Sequence, residues 1–132
     1  MTVHEHVVHF SETDPAGILF FSRVFEICHH AFEAFLAERG FPLARVLTSV
    51  DWLLPLVHAE ADFAAPIRLG DTLLVEVTVE RMGAGSIAFA FALTNPERGL
   101  VATARHVHAA IDRKTWQPRR LPDEVRKHLG SG

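Results

Sequence analysis

Between Ser22 and Arg39 the apolar residues Val24, Ile27, Cys28, Ala31, Phe32, Phe35 and Leu36 recur at steps of three, one, three, one, three and one. That spacing lines them along one stripe of an amphipathic α-helix of about five turns. The other face carries Arg23, Glu26, His29, His30, Glu33 and Glu38, which the pattern places in solvent in ordinary surface pairs. Gly40 ends the helix and Pro42 prevents its continuation. A stripe this wide, almost purely aliphatic and aromatic, needs a broad apolar partner, and a β-sheet supplies one.

The second half of the chain encodes that sheet. Leu73, Val75, Val77 and Val79 alternate with Thr72, Leu74, Glu76 and Thr78, and Ile87, Phe89, Phe91 and Leu93 alternate with Ser86, Ala88, Ala90 and Ala92. Period-two alternation of this kind marks strands with one bulky face. Glycines within Met82–Gly85 sit at hairpin distance, and Asn95–Gly99 forms another turn cluster before a long strand read over Leu100–Ile111. Val3–Phe10 reads as a first strand and Leu56–Phe63 as a further one, ending before Pro66. Leu121–Leu129 reads as a short terminal helix opened by Pro122 and Asp123. The expected fold class is α+β, an antiparallel sheet of about five strands against one long central helix with a short C-terminal helix. Ala88, Ala90, Ala92, Ala102 and Ala104 are expected to leave the opposite sheet face shallow and apolar, suited to another subunit.

Size and charge narrow the function classes. The 132 residues are read as one domain, 1–132, with 48% apolar positions; surface scaling lets about two-thirds of such a chain's surface be buried. Thirteen basic against sixteen acidic residues give a net charge of −3, and no basic run exceeds two, so no nucleic-acid partner is expected. The start, MTVHEHVVHF, has no secretory or transit pattern, and no apolar run approaches ~18 residues, so no membrane partner is expected either. The single cysteine, Cys28, packs as a small hydrophobe and forms no internal disulfide, and the expected location is cytoplasmic.

Motifs for most cofactors are missing. No phosphate-cradling glycine loop, Cys-x-x-Cys pair, serine elbow or His-Glu-x-x-His helix occurs. His4 and His6 share one face of the first strand and His106 and His108 one face of the last. Two such pairs on neighbouring strands carry metal-binding donors, but no carboxylate or thiolate stands at a matching spacing, so half-exposed polar positions and no metal are expected. The segment from Glu12 to Ser22 differs, because it delivers a carboxylate, Asp14, to the start of the long helix. Backbone N–H groups are unpaired there and the helix dipole is positive. Acyl-bond hydrolysis needs that pair of features, a carboxylate to attack or to activate water and donors for the developing oxyanion. An Asx-turn or helix cap ahead of Pro15 is the structural alternative for Asp14.

The run TDPAGILFFSRVFEICHHAFEAFL resembles the signature segment of the 4-hydroxybenzoyl-CoA thioesterase family of hotdog folds, and LPLVHAEADFAAPIRLGDTLLVEV resembles the family's next two strands and the turn between them. The helix run from Ile27 to Ala34 is most similar to the 1,4-dihydroxy-2-naphthoyl-CoA thioesterase branch. The resemblance implies Asp14 as the catalytic carboxylate, nucleophile or general base, with Gly17 permitting close backbone approach and the Phe21 N–H polarising the thioester carbonyl. One branch has a histidine where Phe21 stands here; this chain departs from it, and the Phe20-Phe21 pair resembles the aryl-CoA branches. The implied substrate is an aromatic acyl-CoA, with 4-hydroxybenzoyl-CoA or a short- to medium-chain acyl-CoA as alternatives. Coenzyme A enters as part of the substrate and no cofactor is implied. A homodimer or homotetramer is implied as the assembly.

Phe20, Phe21 and Phe63, together with Leu53–Val57, are apolar enough to line a flat pocket, with core packing as the alternative for each. The resemblance places His58 near the acyl pocket, where an imidazole can bond a substrate hydroxyl; a satisfied sheet histidine is the alternative. Arg68, Arg81, Arg105, Arg113 and Lys114 are candidates for the coenzyme A phosphates, with surface charge as the alternative, and Arg105 interrupts the last strand's alternation. Two rival functions remain open. A hydratase or dehydratase of this fold needs a histidine beside the carboxylate, which the Asp14 loop lacks, and a non-catalytic acyl-CoA-binding module does not account for an intact Asp-Pro-Ala-Gly loop.

Overall fold

A computed structural model describes residues 2–130. In chain order the elements are β1 (Thr2–Val7), a 3-10 turn (Phe10–Glu12), α1 (Arg23–Glu38), α2 (Leu43–Ser49), β2 (Trp52–Leu53), β3 (Leu56–Phe63), β4 (Thr72–Met82), β5 (Ser86–Asn95), β6 (Gly99–Ala109), β7 (Ile111–Asp112) and α3 (Asp123–Leu129). Helix α1 buries Val24, Ile27, Cys28, Ala31, Phe32, Phe35 and Leu36, the whole stripe read from spacing. Its end is a Schellman motif. The Phe41 N–H donates to the Leu36 carbonyl at 2.8 Å and the Gly40 N–H to the Ala37 carbonyl at 3.2 Å. Gly40 takes the φ of +89° that this closure requires.

Five antiparallel strands in the order β1-β4-β5-β6-β3 make the sheet, so β1 and β3 are its edges. The face toward α1 is built from Leu73, Val75 and Val77 of β4 and Ile87, Phe89, Phe91 and Leu93 of β5, all buried. Phe89 meets both Phe32 and Phe35 of α1 edge-on, at centroid distances of 5.0 and 5.7 Å. Burying each such side chain contributes about 1.5–3 kcal/mol, which makes this interface the main source of stability.

Register decides what the sequence left ambiguous. On β6, Ala102 lies opposite Leu93, Ala104 opposite Phe91, His106 opposite Phe89 and His108 opposite Ile87. Ala102 and Ala104 therefore belong to the buried face, contrary to expectation. The outer face is not apolar either: Ala90 and Ala92 form a shelf bordered by Glu60, Asp62, Glu76, Glu80 and Arg105. Arg105 keeps the alternation of β6 after all, pointing outward to Glu80 at 2.9 Å and Glu60 at 3.7 Å. His106 and His108, expected at half-exposed positions, are 0% and 2% exposed. Nor do they neighbour His4 and His6, since β4 and β5 separate β1 from β6. His29 leaves the surface pairing expected of it and stands 5.1 Å from the His106 ring, while His30 meets His4 and His6 at 6.4 Å each.

Three boundaries also differ. The first strand stops at Val7 and turns at Phe10–Glu12, and the long last strand breaks at Ala110 so that β7 can pair with β2. Helix α2 was not expected, because seven residues are too short for periodicity to register and Pro42, read only as a stop, is its N-cap. Arg113 holds its C-terminal end, donating to the carbonyls of Leu47 and Val50 at 2.6 Å and to that of Val46.

Burial pushes His106 and His108 down to about 4, helped by the nearby His29, although the Leu54 carbonyl opposes the shift at His108. An unfolded histidine titrates near 6.5, so between that value and about 4 the unfolded chain binds more protons than the folded one. The stability these two neutral rings contribute is complete above pH 6.5 and is lost as pH falls toward 4. Thermal melts in chelator-containing buffer are expected to show a Tm that falls over this window, by roughly 3–5 °C for each kcal/mol lost. In His106→Phe this acid-side slope is expected to be shallower.

Candidate active site

The segment between β1 and α1 carries, after its 3-10 turn, a three-residue hairpin loop, Pro15-Ala16-Gly17, closed by two bonds. The Asp14 N–H donates to the Ile18 carbonyl at 2.8 Å and the Gly17 N–H to the Asp14 carbonyl at 3.0 Å. Pro15 follows the turn-opening aspartate and Gly17 adopts φ +79°, the arrangement of a turn followed by a left-handed residue. An added Cβ at Gly17 would meet nothing within 4 Å among the described residues, so within the protein its glycine answers to the backbone angle.

The half-buried Asp14 carboxylate is fixed on one side only. Its Oδ1 accepts the Ala16 N–H at 2.8 Å and the Ile18 N–H at 3.2 Å, while Oδ2 has no hydrogen-bond partner among the described residues. The Asx-turn and the reactive carboxylate, alternatives in sequence, thus coexist in one side chain. Further bonds stitch the loop to the rest of the domain: Phe20 N–H to the Glu12 carbonyl at 2.8 Å, Leu19 N–H to the Ile67 carbonyl at 2.7 Å, and Leu69 N–H to the Gly17 carbonyl at 3.0 Å.

Glu12 is a residue that sequence reasoning did not single out. Its Oε1 accepts the His9 N–H at 2.7 Å and meets His6 Nε2 at 2.9 Å, locking the turn from which Asp14 departs. Burial pushes the Glu12 carboxyl up, but those bonds outweigh it and hold the group below its ordinary value. No local motif announces this pairing, since His6 and Glu12 meet only because the chain reverses between them.

Helix α1 starts immediately beyond. Ser22 is the N-cap without a side-chain capping bond. The Arg23 N–H turns back to the Phe20 carbonyl at 2.9 Å, whereas the N–H groups of Phe21 and Ser22 donate to no backbone acceptor among the described residues. Unpaired donors at the positive end of a 16-residue helix suit a developing oxyanion.

A cleft of about 380 Å³ opens beside this end, lined by Ile18, Leu19, Phe21, Phe63 and the Ala64–Ile67 segment. The structure therefore places Phe21 and Phe63 in one cleft and links the Asp14–Gly17 loop to it through Ile18, a lining residue whose N–H donates to Asp14. Phe20 packs against Phe21 with ring centroids 5.1 Å apart and is not among the cleft's lining residues. Leu53 and Leu54 line a separate apolar cavity of about 240 Å³ beneath α2 with Trp52 and Trp116, so the single pocket expected from these residues is two. His58 lies apart from the cleft, exposed on β3 and bonded to Glu60 at 3.0 Å. Five residues of extended strand separate it from Phe63, roughly 17 Å. Of the phosphate candidates, Arg105 and Arg113 are occupied by carboxylates and carbonyls; the side chains of Arg68, Arg81 and Lys114 have no protein hydrogen bond among the described residues.

Comparison with known proteins agrees with this geometry. The thioesterase-like superfamily is matched by residues 8–129. A 1,4-dihydroxy-2-naphthoyl-CoA hydrolase of Rippkaea orientalis is 31% identical over 133 aligned positions, covering 99% of this chain and 96% of the relative. The crystal structure of a 1,4-dihydroxy-2-naphthoyl-CoA thioesterase from Synechocystis superposes with a TM-score of 0.88 at 30% identity, covering 98% of this chain and 95% of that one. A dynemicin thioesterase, whose structures describe polyene binding, superposes with a TM-score of 0.85 at 29% identity over 98% of this chain and 95% of its own. With a hotdog sheet around α1, the Asp14 loop at the helix's open end and a match spanning nearly its whole length, the chain belongs to the thioesterase-like superfamily.

Proposed function

We propose that this protein hydrolyses an aromatic acyl-CoA, with 1,4-dihydroxy-2-naphthoyl-CoA as the preferred substrate, to the free acid and coenzyme A. One observation carries the reading. Asp14 spends one carboxylate oxygen on two backbone N–H groups and keeps the other unbonded among the described residues, and one of those two donors, Ile18, is in the wall of an apolar cleft that also takes in Phe21 at the uncapped start of α1. The relative from Rippkaea orientalis and the Synechocystis structure supply the naphthoyl group. A flat bicyclic ring suits a cleft of about 380 Å³ with Phe21 and Phe63 in its walls, which lies within the usual range for small ligands.

The chemistry follows from these positions. Oδ2 of Asp14 attacks the thioester carbon or takes a proton from the water that does. Negative charge then grows on the carbonyl oxygen, where the Phe21 N–H at the α1 terminus receives it. The tetrahedral intermediate collapses by breaking the C–S bond, and the coenzyme A thiolate leaves and takes up a proton; on the water route the free acid is released at once, and on the nucleophilic route water then cleaves the mixed anhydride on Asp14, releasing the acid and restoring the carboxylate. Water is consumed and no electron changes hands, so the reaction as proposed needs no cofactor.

Assembly and setting belong to the same reading. The β3 edge is exposed and carries Leu56, Val57 and Phe63 on the surface, a combination that folded proteins usually cover. A homodimer or homotetramer covers it. No helix among the described residues is long and apolar enough to cross a membrane. Cys28 is a buried free thiol, in keeping with a reducing, cytoplasmic setting.

Steady-state hydrolysis across naphthoyl, hydroxybenzoyl, straight-chain and polyene thioesters is the test. The naphthoyl compound is expected to give the highest kcat/KM. Asp14→Asn is expected to lower kcat by about 10²–10⁴-fold with KM nearly unchanged, since it keeps the Ala16 and Ile18 bonds while removing the base or nucleophile. Preference for the polyene thioester would transfer the assignment to the dynemicin-type substrate, and a wild-type rate in Asp14→Asn would remove Asp14 from the mechanism.

Gly17→Ala tests the loop separately. It meets no clash but must hold an L-residue at φ +79°, a cost of about 1–2 kcal/mol. A fall in kcat larger than any change in KM is expected, with a small drop in Tm. Light scattering during size exclusion is expected to give two or four times the 14.7 kDa chain mass.

A further inference from the structure

Between α1 and β6, away from the Asp14 loop in sequence, three imidazoles converge, two of them buried and the third, His29, reaching in from the solvent side of the helix. His29 projects from α1 toward His106 and His108 of β6, with ring centroids 5.1 and 6.2 Å away. One ring nitrogen from each of the three lies within 4.8 Å of the others. His106 and His108 are fully buried, and three of their four ring nitrogens have no hydrogen-bond partner among the described residues: Nδ1 and Nε2 of His106 and Nε2 of His108. Buried polar atoms left unpaired are uncommon and call for a physical reason.

Aromatic packing accounts for the rings but not for their nitrogens. Phe32 stacks on His108 at 4.4 Å and Phe91 lies 4.7 Å from His106, so phenylalanines at these positions would keep the contacts and remove the unsatisfied atoms. The orientation of His108 is informative. Its Nδ1 is 2.8 Å from the Leu54 carbonyl, which can only accept, so Nδ1 carries the proton and Nε2, without a partner among the described residues, keeps a bare lone pair. Metal-binding histidines are typically held by such a bond from the other ring nitrogen to a backbone carbonyl.

We propose that His29, His106 and His108 form a binding site for a divalent transition ion of the zinc class, with three imidazole nitrogens and one open position for water or an anion. A four-coordinate zinc ion with bonds of about 2.0–2.1 Å sets its ligand nitrogens about 3.4 Å apart. Binding therefore requires the nitrogens, now within 4.8 Å of one another, to draw closer; His108 is held by its Leu54 bond, and His29 has no hydrogen bond among the described residues to hold it. The ion joins α1 to β6 and engages the lone pairs that the apolar core leaves unpaired. The second imidazole cluster, His6, His9 and Glu12, is the weaker candidate, because Glu12 is already bonded to the His9 N–H and to His6.

The test uses tag-free protein stripped with chelator and dialysed against Zn²⁺, with Co²⁺ as the spectroscopic probe. Wild type is expected to bind one ion per chain, to show the visible absorption of nitrogen-bound Co²⁺, and to melt at least about 5 °C higher with Zn²⁺ than with chelator. His29→Ala and His108→Phe are each expected to lose all three signals, and His9→Ala to keep them. Metal-free melts and circular dichroism check that each variant folds, and if His108→Phe does not, His29→Ala decides alone. Failure of wild type to bind stoichiometrically, retention of binding by a folded His29→Ala or His108→Phe, or loss of binding in His9→Ala overturns the proposal. None of these readouts depends on thioester turnover.

Discussion

Packing of the α1 stripe on the inner face of β4, β5 and β6 is the contact from which the rest of the molecule takes its positions. Val24, Ile27, Cys28, Ala31, Phe32, Phe35 and Leu36 all bury there, so neither rotation nor sliding of the helix is possible without exposing aromatic surface. The start of α1 is thereby fixed relative to the sheet. Because β1 ends at Val7 and α1 begins at Arg23, the intervening chain must return across that helix end, and the Leu19–Ile67 and Leu69–Gly17 bonds tie it to the segment after β3. The site inherits its geometry from the core.

Local chemistry then does two things that the core cannot. The Asx bonds hold Asp14 with one oxygen, which orients the other without consuming it. A carboxylate gripped through both oxygens would be a structural cap and a poor nucleophile or base. The departure from ordinary backbone geometry is concentrated at Gly17, where a glycine bears it with little strain, so the loop can be rigid and the residues beside it remain ordinary. Unpaired N–H groups at Phe21 and Ser22 complete the arrangement, since a helix of 16 residues must leave its first donors unsatisfied and the Ser22 side chain does not cap them.

How much of this was legible depends on the physical range of each signal. Spacing alone located α1, β4 and β5, because periodicity of buried side chains is a local property, whereas the strand read over Leu56–Phe63 coincides with β3 although none of its residues is buried. Resemblance drew attention to Asp14, Gly17 and Phe21, which the structure places on one loop and helix start. What escaped was decided by pairing across the sheet. On β6 one parity offers Ala102, Ala104, His106 and His108 and the other Thr103, Arg105 and Val107, and neither set is plainly the apolar one. Only the register with Phe89 and Phe91 of β5 sends the alanines and histidines inward. The distance of His58 from the cleft was hidden for a related reason: it shares β3 with Phe63 but sits toward the other end of that strand, a separation that chemical suitability does not reveal.

The small residues on β6 also explain why imidazoles are tolerated in the core. Ala102 and Ala104 leave room above them for the bulk of Phe91 and Leu93, whereas farther along the strand the space opposite Phe89 and Ile87 is filled by His106 and His108. Rings are needed there to reach Phe25, Phe32 and Phe89 of the surrounding elements. Imidazole supplies nearly the flat contact area of phenylalanine but brings nitrogen atoms into an apolar interior, which costs stability unless something engages them. At His108 the Leu54 carbonyl engages one, and that same bond ties β6 to the chain just ahead of β3. One nitrogen of each of these two rings comes within 4.8 Å of His29 on α1, so the unpaired imidazoles stand at the interface that positions the helix.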